Sequence, residues 1–393
     1  MRFLHLADLH LGKQLNGFSL VDDQRAALAD LIGRAGELGA HALVLAGDLY
    51  DKASPSAESV ALLDWLLTTA AEAGLAVLAV PGNHDSAERV GYAAQLLARQ
   101  SVFVPGPFDG TLSCVTLEDD AGPVRFWLMP FLKPALVRPH FPDADIAQSY
   151  TAALEAVIGA APIDPRERNV LVAHQFVTFG STEPERCDSE LIVGGVDNVD
   201  ARVFDAFDYV ALGHLHRPQR IGRDTVRYAG SLLKYSLSEV RDAKSAVLVD
   251  VGAKAEGADP GACVAFELVP IRPPHDVRVV RGPLAEICAA ARADAPDAAD
   301  YVHAALTDEA PSLDALRMLR AVYPNLISFE YDNEATRTAR TTGASAPAEE
   351  PAAIDAEALF ARFFEEQNGF APNERQQTII SAALTRATEG GAA

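Results

Sequence analysis

Residues 78–85 read LAVPGNHD, an apolar run that ends in an amide, an imidazole and a carboxylate side by side. Gly, Asn and Asp also form turns, and a lone histidine is most often a polar loop residue, so this stretch alone is weak evidence for a site. It becomes informative because four other predicted strands end in the same kind of residue. They are FLHLADLH at 3–10, ALVLAGDLYD at 42–51, NVLVAHQ at 169–175 and YVALGHLH at 209–216.

Around these stretches, the first 270 residues alternate short apolar β-rich runs with Ala- and Leu-rich helical segments, a pattern typical of a layered α/β fold. The predicted strands are Arg2–Leu6, Ala42–Ala46, Ala76–Val80, Val124–Pro130, Asn169–Ala173 and Tyr209–Leu212. The predicted helices between them include Asp22–Leu38 and Ala57–Ala73. Residues Ser245–Val251 and Cys263–Pro270 are predicted to form a β-hairpin.

The loops after these strands should converge, because strand ends of an α/β sheet meet at one edge. The ligand-type side chains there are carboxylates, an amide and imidazoles, with no thiolate, which suits Mn²⁺, Fe²⁺ or Zn²⁺ better than Ca²⁺. There are too many for one ion, so two are predicted, with Asp48 placed to bridge them. A metal pair clamps the attacking and leaving oxygens of a phosphoryl displacement and lowers the pKa of bound water, which predicts phosphoester hydrolysis.

The ordered set DxH, GDLYD, GNHD, a lone histidine after a strand and GHxH resembles the calcineurin-like metallophosphoesterase superfamily over residues 1–270. Three longer stretches are similar to the SbcD-type nuclease subunits of bacterial SbcCD exonucleases. They are MRFLHLADLHLGKQLNG at 1–17, GDLYDKASPSAES at 47–59 and YAGSLLKYSLSE at 228–239. The resemblance implies a four-layer α-β-β-α sandwich with a small α/β capping domain and a C-terminal two-helix motif.

It also implies roles for the site residues. One metal is expected among Asp8, His10, Asp48 and His216, and the other among Asp48, Asn83, His174 and His214, with Mn²⁺ as the ion. Two catalytic residues are expected beside them. His84 should face the scissile phosphate or protonate the leaving oxygen, and Asp85 should hold its ring.

Several nearby residues keep alternative interpretations. His5 lies within a predicted strand, which favours a structural histidine over a ligand. Asp51 could act at the site or cap the following turn. The charged side chains of Lys13, Lys52, Arg217 and Lys234 could contact phosphate or simply be solvated.

The chain after residue 270 changes in character. Residues 271–334 predict a β-α-β-α-β unit, taken as the capping, DNA-contacting domain, and the Ala-, Thr- and Pro-rich residues 335–353 predict a flexible linker. Residues 354–393 predict two helices, Asp355–Gln367 and Asn373–Thr388, with apolar stripes too extensive for so small a unit to bury. Docking on a partner is favoured, and the resemblance implies the coiled-coil base of an SbcC ATPase.

The net charge of −22 is unusual for a protein that binds DNA without a partner protein. No GxxxxGK[ST] loop is present, so a partner is expected to supply both ATP hydrolysis and a basic DNA platform. With no membrane-length apolar run, the chain is predicted to be cytoplasmic and nucleoid-associated.

The resulting prediction is an Mn²⁺-dependent double-strand exonuclease and single-strand or hairpin endonuclease. It would act in DNA repair, recombination and replication as a homodimer within a heterotetramer. The alternatives are a small-molecule phosphodiesterase or phosphatase on the same metal core, and an inert scaffold that tethers the partner.

Overall fold

The structure, a computed structural model, describes residues 1–180, 182–187, 197–291, 297–334, 336–337, 372–373, 375–377 and 381. The chain divides into two compact units, Met1–Tyr331 and Asp332–Ala393. The predicted linker and the two predicted C-terminal helices fall in the second unit and lie almost entirely outside the described residues. Their conformation therefore stays a prediction.

The helices and strands of the first unit lie between Arg2 and Tyr331. The strands are β1 Arg2–Leu6, β2 Gln14–Leu15, β3 Phe18–Ser19, β4 Ala42–Ala46, β5 Ala76–Val80, β6 Val102–Phe103, β7 Ser113–Asp119, β8 Gly122–Met129, β9 Arg168–His174, β10 Val177–Thr178, β11 Val199–Asp200, β12 Tyr209–Gly213, β13 Gln219–Ile221, β14 Arg223–Tyr228, β15 Ser245–Val251, β16 Val264–Pro270, β17 Val277–Gly282, β18 Tyr301–Leu306 and β19 Leu326–Tyr331. The α-helices are α1 Val21–Ala35, α2 Ala57–Glu72, α3 Ala87–Val90, α4 Ala94–Leu97, α5 Pro134–Val137, α6 Tyr150–Ala160, α7 Leu284–Ala290 and α8 Ala315–Val322. Short 3₁₀ helices cover Ala98–Gln100, Arg138–His140, Ala201–Phe204 and Leu237–Glu239.

The strands predicted from the apolar runs are confirmed, β1, β4 and β5 with the same bounds and the others within a few residues. Helix α1 ends at Ala35, three residues before its predicted end, and Gly39 follows with φ +64°, a left-handed conformation that closes the helix. Helix α2 begins after Ser56, whose hydroxyl accepts a hydrogen bond from the backbone N–H of Ser59. The predicted hairpin is also present as the antiparallel pair β15 and β16.

Two six-stranded sheets form the centre of the first unit. Their strand orders are β16-β15-β1-β4-β5-β6 and β13-β14-β12-β9-β8-β7. The inner faces pack on each other through large apolar side chains; the ring of Phe3 meets those of Phe126 and Tyr209 edge-on at 5.4 and 5.9 Å. The outer faces are covered by α1 and α2 on the first sheet and α6 on the second. The four-layer α-β-β-α sandwich is therefore confirmed.

Burial on both faces explains the continuous apolar runs in the sequence, since β1, β4, β5, β9 and β12 all lie between two layers. Strands β1, β4 and β5 run parallel to one another, as do β8, β9, β12 and β14. The carboxyl ends of each parallel group therefore lie at one edge of its sheet. A hydrogen bond of 2.9 Å from the His174 ring to the carbonyl of Ala46 joins the two edges.

A third sheet of three parallel strands, in the order β17-β18-β19, carries α7 and α8. Its own core contains Leu284, Val302 and Leu319. This is the predicted β-α-β-α-β order. Because Val277 and Tyr301 also belong to the core beneath α1, the division of the chain at residue 270 stays a prediction.

Candidate active site

The strand-end loops of both large sheets bring the predicted metal ligands together. The amide oxygen of Asn83 lies 2.9 Å from Nε2 of His174 and 3.0 Å from Nδ1 of His214. On the other side, Nε2 of His10 lies 3.1 Å from Nε2 of His216. These contacts join side chains that are up to 206 residues apart in the chain, so the sheets alone bring them together.

Asp48 occupies the centre of this cluster. Its Oδ2 lies 3.2 Å from Nε2 of His174 and 3.7 Å from Nε2 of His10. One carboxylate oxygen thus faces both groups of imidazoles. Its Oδ1 accepts a hydrogen bond of 2.8 Å from the backbone N–H of His84, which fixes the orientation of the carboxylate.

The donor atoms fit a pair of divalent cations. Ligand atoms of Asp8, His10 and His216 lie within 4.8 Å of one another, and so do those of Asp8, Asp48 and His174. Two imidazole Nε2 atoms that face each other in a buried site can share only one proton, whereas a cation between them would accept both lone pairs. Carboxylate, amide and imidazole donors without a thiolate suit borderline divalent metals.

The backbone is strained at four of the predicted ligands. Asp8, His10, Asp48 and His214 have φ values of +50°, +43°, +48° and +105°, in a region that side chains other than glycine seldom adopt. Such residues cost about 1–3 kcal/mol each and persist only where the surroundings hold them. Here the N–H of Asp8 donates to the Gly47 carbonyl at 3.0 Å, and the N–H of His10 to the Asp48 carbonyl at 2.9 Å.

The glycines before Asn83 and His214 are required by space. A Cβ on Gly82 would lie 2.2 Å from Oδ1 of Asp48, and one on Gly213 would lie 1.9 Å from the carbonyl oxygen of Ala46. Both distances are far below van der Waals contact. The glycines in GNHD and GHLH therefore let the backbone of one loop approach the ligands of the next.

His174 and His216 are oriented through their other ring nitrogen. Nδ1 of His174 lies 2.9 Å from the Ala46 carbonyl oxygen, which can only accept, so Nδ1 carries the proton and Nε2 faces the cluster. Nδ1 of His216 lies 3.3 Å from Oε1 of Glu239, a fully buried carboxylate. Hydrogen bonds and the positive charge of Lys244 lower the pKa of Glu239 below its usual range, although burial alone would raise it.

Sequence reasoning gave Glu239 no role, although it ends the quoted stretch YAGSLLKYSLSE. It also gave none to Gln24, whose amide group donates to the carbonyls of Leu9 and His10 at 3.0 and 2.9 Å and supports the first ligand loop. Neither residue follows a strand at the site edge, so the pattern that found the ligands could not find them.

The role expected for Asp85 is wrong in one respect. Its carboxylate does not contact the His84 ring but accepts hydrogen bonds of 2.9 Å from the backbone N–H groups of Leu49, Tyr50 and Gly82. Asp85 therefore ties the loop after β4 to the loop after β5. The His84 ring is held by the backbone carbonyl of Asp51, 3.0 Å from its Nδ1.

His84 lies at the edge of the ligand cluster, next to His10. Its ring meets that of His10 edge-on with 4.9 Å between centroids. Its backbone N–H is bound to Asp48, so the position of the ring depends on the central carboxylate. A ring nitrogen of His84 also lies within 4.8 Å of ligand atoms of His10 and Asp51, so the imidazole borders the predicted metal position.

Burial and neighbouring charges shift the pKa values of several side chains in the cluster. Desolvation raises the pKa of Asp8 to about 7. Burial would lower the pKa of His174, but the carboxylates of Asp48 and Asp8 outweigh it and raise the value to about 9. The pKa of Asp48 is lowered because the imidazoles of His174 and His10 outweigh its burial.

The structure shows the contacts of most residues that had alternative interpretations. His5 is buried in β1, with Nδ1 3.0 Å from the Tyr209 hydroxyl, as expected of a structural histidine. Lys13 forms an ion pair with Asp51 at 2.8 Å, next to the site. Arg217 forms an ion pair with Asp242 at 3.0 Å, and Lys234 forms one with Asp276 at 2.8 Å. Both basic side chains are therefore paired within the protein.

Comparison with known proteins gives two matching family models. The calcineurin-like phosphoesterase family matches residues 1–218, and the type 5 capsule protein repressor C-terminal domain matches residues 273–368. The chain is 30% identical over 334 residues to the SbcD subunit of the nuclease SbcCD from Staphylococcus epidermidis, covering 84% of this chain and 85% of the relative. Yfce, a phosphoesterase from E. coli of known structure, matches at 15% identity with a TM-score of 0.27, covering 69% of this chain and 100% of its own.

The fold and these matches define a hydrolase, a metal-dependent phosphodiesterase. Its sandwich and its convergent histidines and carboxylates are those expected of that class. Within the class, the chain belongs to the SbcD family of calcineurin-like phosphoesterases. Among the described residues, no helix is long and apolar enough to cross a membrane.

Proposed function

We propose that this chain is the nuclease subunit of an SbcCD-type complex and hydrolyses DNA phosphodiesters with two Mn²⁺ ions. The observation that carries the proposal is the convergence of carboxylates, an amide and imidazoles from five strand ends in a chain related to a bacterial nuclease. Its activities would be double-strand exonuclease and single-strand or hairpin endonuclease.

Seven residues would hold the two ions. The first position comprises Asp8, His10, Asp48 and His216, and the second comprises Asp48, Asn83, His174 and His214. The ions would polarise the phosphate and supply a nucleophile at neutral pH. Asn83 contributes an oxygen without adding negative charge to a site that must accept a phosphate.

His84 would act on the substrate itself. Its ring lies next to His10, and the Asp51 carbonyl holds its Nδ1, so Nε2 is the nitrogen left to face a phosphate. From there it can stabilise the developing charge or protonate the leaving oxygen. Asp85 would be a positioning residue that holds the loops carrying Asp48 and Asn83.

DNA is favoured over small phosphoesters because a single-domain phosphatase would have no use for the segments after residue 270. We propose that residues 271–334 form a capping domain that contacts DNA and that residues 354–393 dock on an SbcC-type ATPase. The partner would supply ATP hydrolysis and the basic surface that a chain of net charge −22 lacks. A homodimer within a cytoplasmic, nucleoid-associated heterotetramer completes the proposal.

Two assays test this function. The first compares Mn²⁺-dependent hydrolysis of linear duplex and hairpin DNA with that of cyclic nucleotides and phosphopeptides. DNA cleavage that exceeds the other activities supports the proposal, whereas preference for a small phosphoester would favour the phosphodiesterase alternative.

The second assay co-purifies the chain with a coiled-coil ATPase and measures nuclease activity with and without ATP. Deleting residues 354–393 should abolish partner binding and leave basal Mn²⁺-dependent cleavage intact. A truncated chain that still binds the ATPase would contradict the docking proposal. A full-length chain without any cleavage would favour the inert scaffold.

A further inference from the structure

His216 is held at two points by a buried ion pair. Lys244 donates to the backbone carbonyl of His216 at 2.8 Å and to Oε2 of Glu239 at 2.7 Å. The other carboxylate oxygen of Glu239, Oε1, lies 3.3 Å from Nδ1 of the same histidine. Glu239 is 0% exposed, His216 4% and Lys244 8%. The backbone and the ring of His216 are therefore fixed by one pair of side chains.

The carboxylate of Glu239 is surrounded by hydrogen-bond donors. Besides the lysine and the imidazole, the hydroxyl of Ser236 donates to Oε1 at 2.9 Å, and the hydroxyl of Ser231 lies 3.1 Å from Oε2. An ionised carboxylate can only accept hydrogen bonds, so the proton of the neutral His216 ring must be on Nδ1. Its lone pair is then on Nε2, which lies 3.1 Å from Nε2 of His10, at the first proposed cation position.

The corresponding contact of His174 is different in kind. Its Nδ1 is bound to a backbone carbonyl, a neutral acceptor that belongs to the fold itself. For His216 the acceptor is an ionised side chain carried on the 3₁₀ helix Leu237–Glu239. An ionised acceptor raises the basicity of the imidazole more than a neutral one, which strengthens binding to a cation.

Stability alone is a weak reason for this pair. Burying a lysine and a glutamate costs desolvation energy that their attraction only partly repays, and apolar residues would serve a core as well. Lys244 and Glu239 lie against a ligand-bearing loop, where the orientation of one ring matters. Their position therefore fits a role at the cation site better than a role in folding.

We propose that Glu239 is a positioning residue that fixes the tautomer and ring of His216 and so sets the affinity of one of the two cation positions. This proposal rests on the proposed cation position formed by Asp8, His10, Asp48 and His216. Lys244 supports this role, because its hydrogen bond orients the carboxylate of Glu239. The second cation position, with Asn83 and His174, does not depend on Glu239.

The test is a calorimetric titration of the full-length, cation-free protein with Mn²⁺. In E239A one binding step should weaken by about 10–100-fold, the range seen when partners of metal-bound histidines are removed, and the other step should not change. E239Q should lose less affinity than E239A, because its amide oxygen still accepts from Nδ1 of His216. If E239A does not fold, E239Q alone decides, since unchanged affinity at both steps would overturn the proposal.

Asp208 provides a matched control. It is a fully buried carboxylate that pairs with Lys254 at 2.9 Å and accepts from the backbone N–H of Asn169 at 2.9 Å, away from the cluster. D208N should lower the thermal stability of the cation-free protein and leave both Mn²⁺ steps as they are. A loss of Mn²⁺ affinity in D208N equal to that in E239Q would reduce Glu239 to a structural residue and overturn the proposal.

A further variant distinguishes a failure of this proposal from a failure of the proposed cation site on which it rests. H216A should weaken the same Mn²⁺ step as E239A. If H216A weakens that step and E239A does not, the role of Glu239 is overturned and the cation site stands. If neither variant changes either step, the assignment of His216 as a ligand is overturned, and the proposal for Glu239 with it.

Discussion

At the scale of single residues, Asn83 and His84 are neighbours with different environments. The amide of Asn83 contacts two imidazoles of the cluster, whereas the ring of His84 lies beside it and is held by a backbone carbonyl. Adjacent residues in a tight turn project in different directions, so one can bind a cation while the next reaches the substrate. In the proposed function, the motif GNHD thus combines a metal ligand, Asn83, with a substrate-facing group, His84.

Replacing His84 by alanine tests this division. H84A should keep Mn²⁺ and DNA binding and lower the cleavage rate by about 10²–10⁴-fold, the usual contribution of a general acid. Single-turnover cleavage of linear duplex DNA measures the rate, and calorimetry and band-shift assays measure binding. Full nuclease activity in H84A would refute the assigned role.

Gly82 offers a test of how closely two loops approach. In G82A the new Cβ would meet the carboxylate and backbone of Asp48 at 2.2–2.3 Å, so the central ligand must move. We expect Mn²⁺ affinity and cleavage to fall at least 10-fold, roughly the effect of a displaced ligand contact.

Gly33 is the control for this change, because it lies within α1 and a Cβ there would meet no atom within 4 Å. G33A should leave Mn²⁺ binding unchanged and stabilise the protein by about 0.5–1 kcal/mol, since alanine favours a helix. Equal Mn²⁺ affinities in G82A and G33A would show that the loop can relax around a side chain.

At the scale of elements, the site is made of loops that hold one another. Strands β4 and β5 are parallel neighbours, and Asp85 after β5 accepts from the N–H groups of Leu49 and Tyr50 after β4. The N–H of Asp8 after β1 donates to the Gly47 carbonyl, and the N–H of His214 after β12 donates to the Asp8 carboxylate. Each strained ligand is therefore held by the loop of another strand, which offsets the cost of its conformation.

Asp85 gives the element-scale prediction. An asparagine there has one acceptor oxygen, and its amide N–H₂ would face a backbone N–H that now donates to the carboxylate. D85N should therefore lower the free energy of unfolding by about 1–3 kcal/mol, the cost of an unpaired buried donor. It should also weaken Mn²⁺ binding, because Asp48 and Asn83 lie on the loops that Asp85 joins.

Urea unfolding with and without Mn²⁺ measures both effects. The control is D109N, which changes an exposed carboxylate that accepts from the N–H of Thr111 at 3.0 Å in a surface turn. D109N should shift the unfolding free energy by less than about 0.5 kcal/mol. An equally small shift in D85N would mean that the hydrogen bonds of Asp85 to the two loops do not contribute to the free energy of unfolding.

At the scale of the whole molecule, two sheets are needed to make one site. The first sheet supplies Asp8, Asp48 and Asn83 from its strand ends, and the second supplies His174 and His214. Packing the sheets face to face buries Asp8, Asp48 and His174. This burial raises the pKa of Asp8 to about 7, while neighbouring carboxylates raise that of His174 to about 9 despite it.

These values predict that cation binding releases protons. Below about pH 7 both Asp8 and His174 must lose a proton to bind a cation, and between about pH 7 and pH 9 only His174 must. Mn²⁺ affinity should therefore rise with pH across this range. Calorimetry in buffers of different ionisation enthalpy should detect between one and two released protons at about pH 7, and an affinity independent of pH would contradict the prediction.

The same shifts set the stability of the cation-free protein. Both groups have folded-state pKa values above their ordinary ones, so each stabilises the fold at low pH and loses that contribution as the pH rises through its folded-state pKa. Asp8 loses its contribution between about pH 3.8 and pH 7, and His174 between about pH 6.5 and pH 9. Stabilisation by added Mn²⁺ should therefore be larger at about pH 9 than at about pH 6.

The sequence by itself determined the strands, the order of the elements and the residues that meet at the site edge. A strand buried between two layers is apolar along its whole length, and such a run can be recognised in the sequence. A residue directly after a strand end, such as Asp48 or His174, lies where the sheet places that end. Only the tertiary structure decided what holds those ligands. Glu239 reaches His216 from 23 residues away, and Asp85 bonds to residues 36 and 35 positions earlier rather than to its neighbour His84. Such contacts depend on how loops pack across strands, and no local pattern of residues encodes that packing.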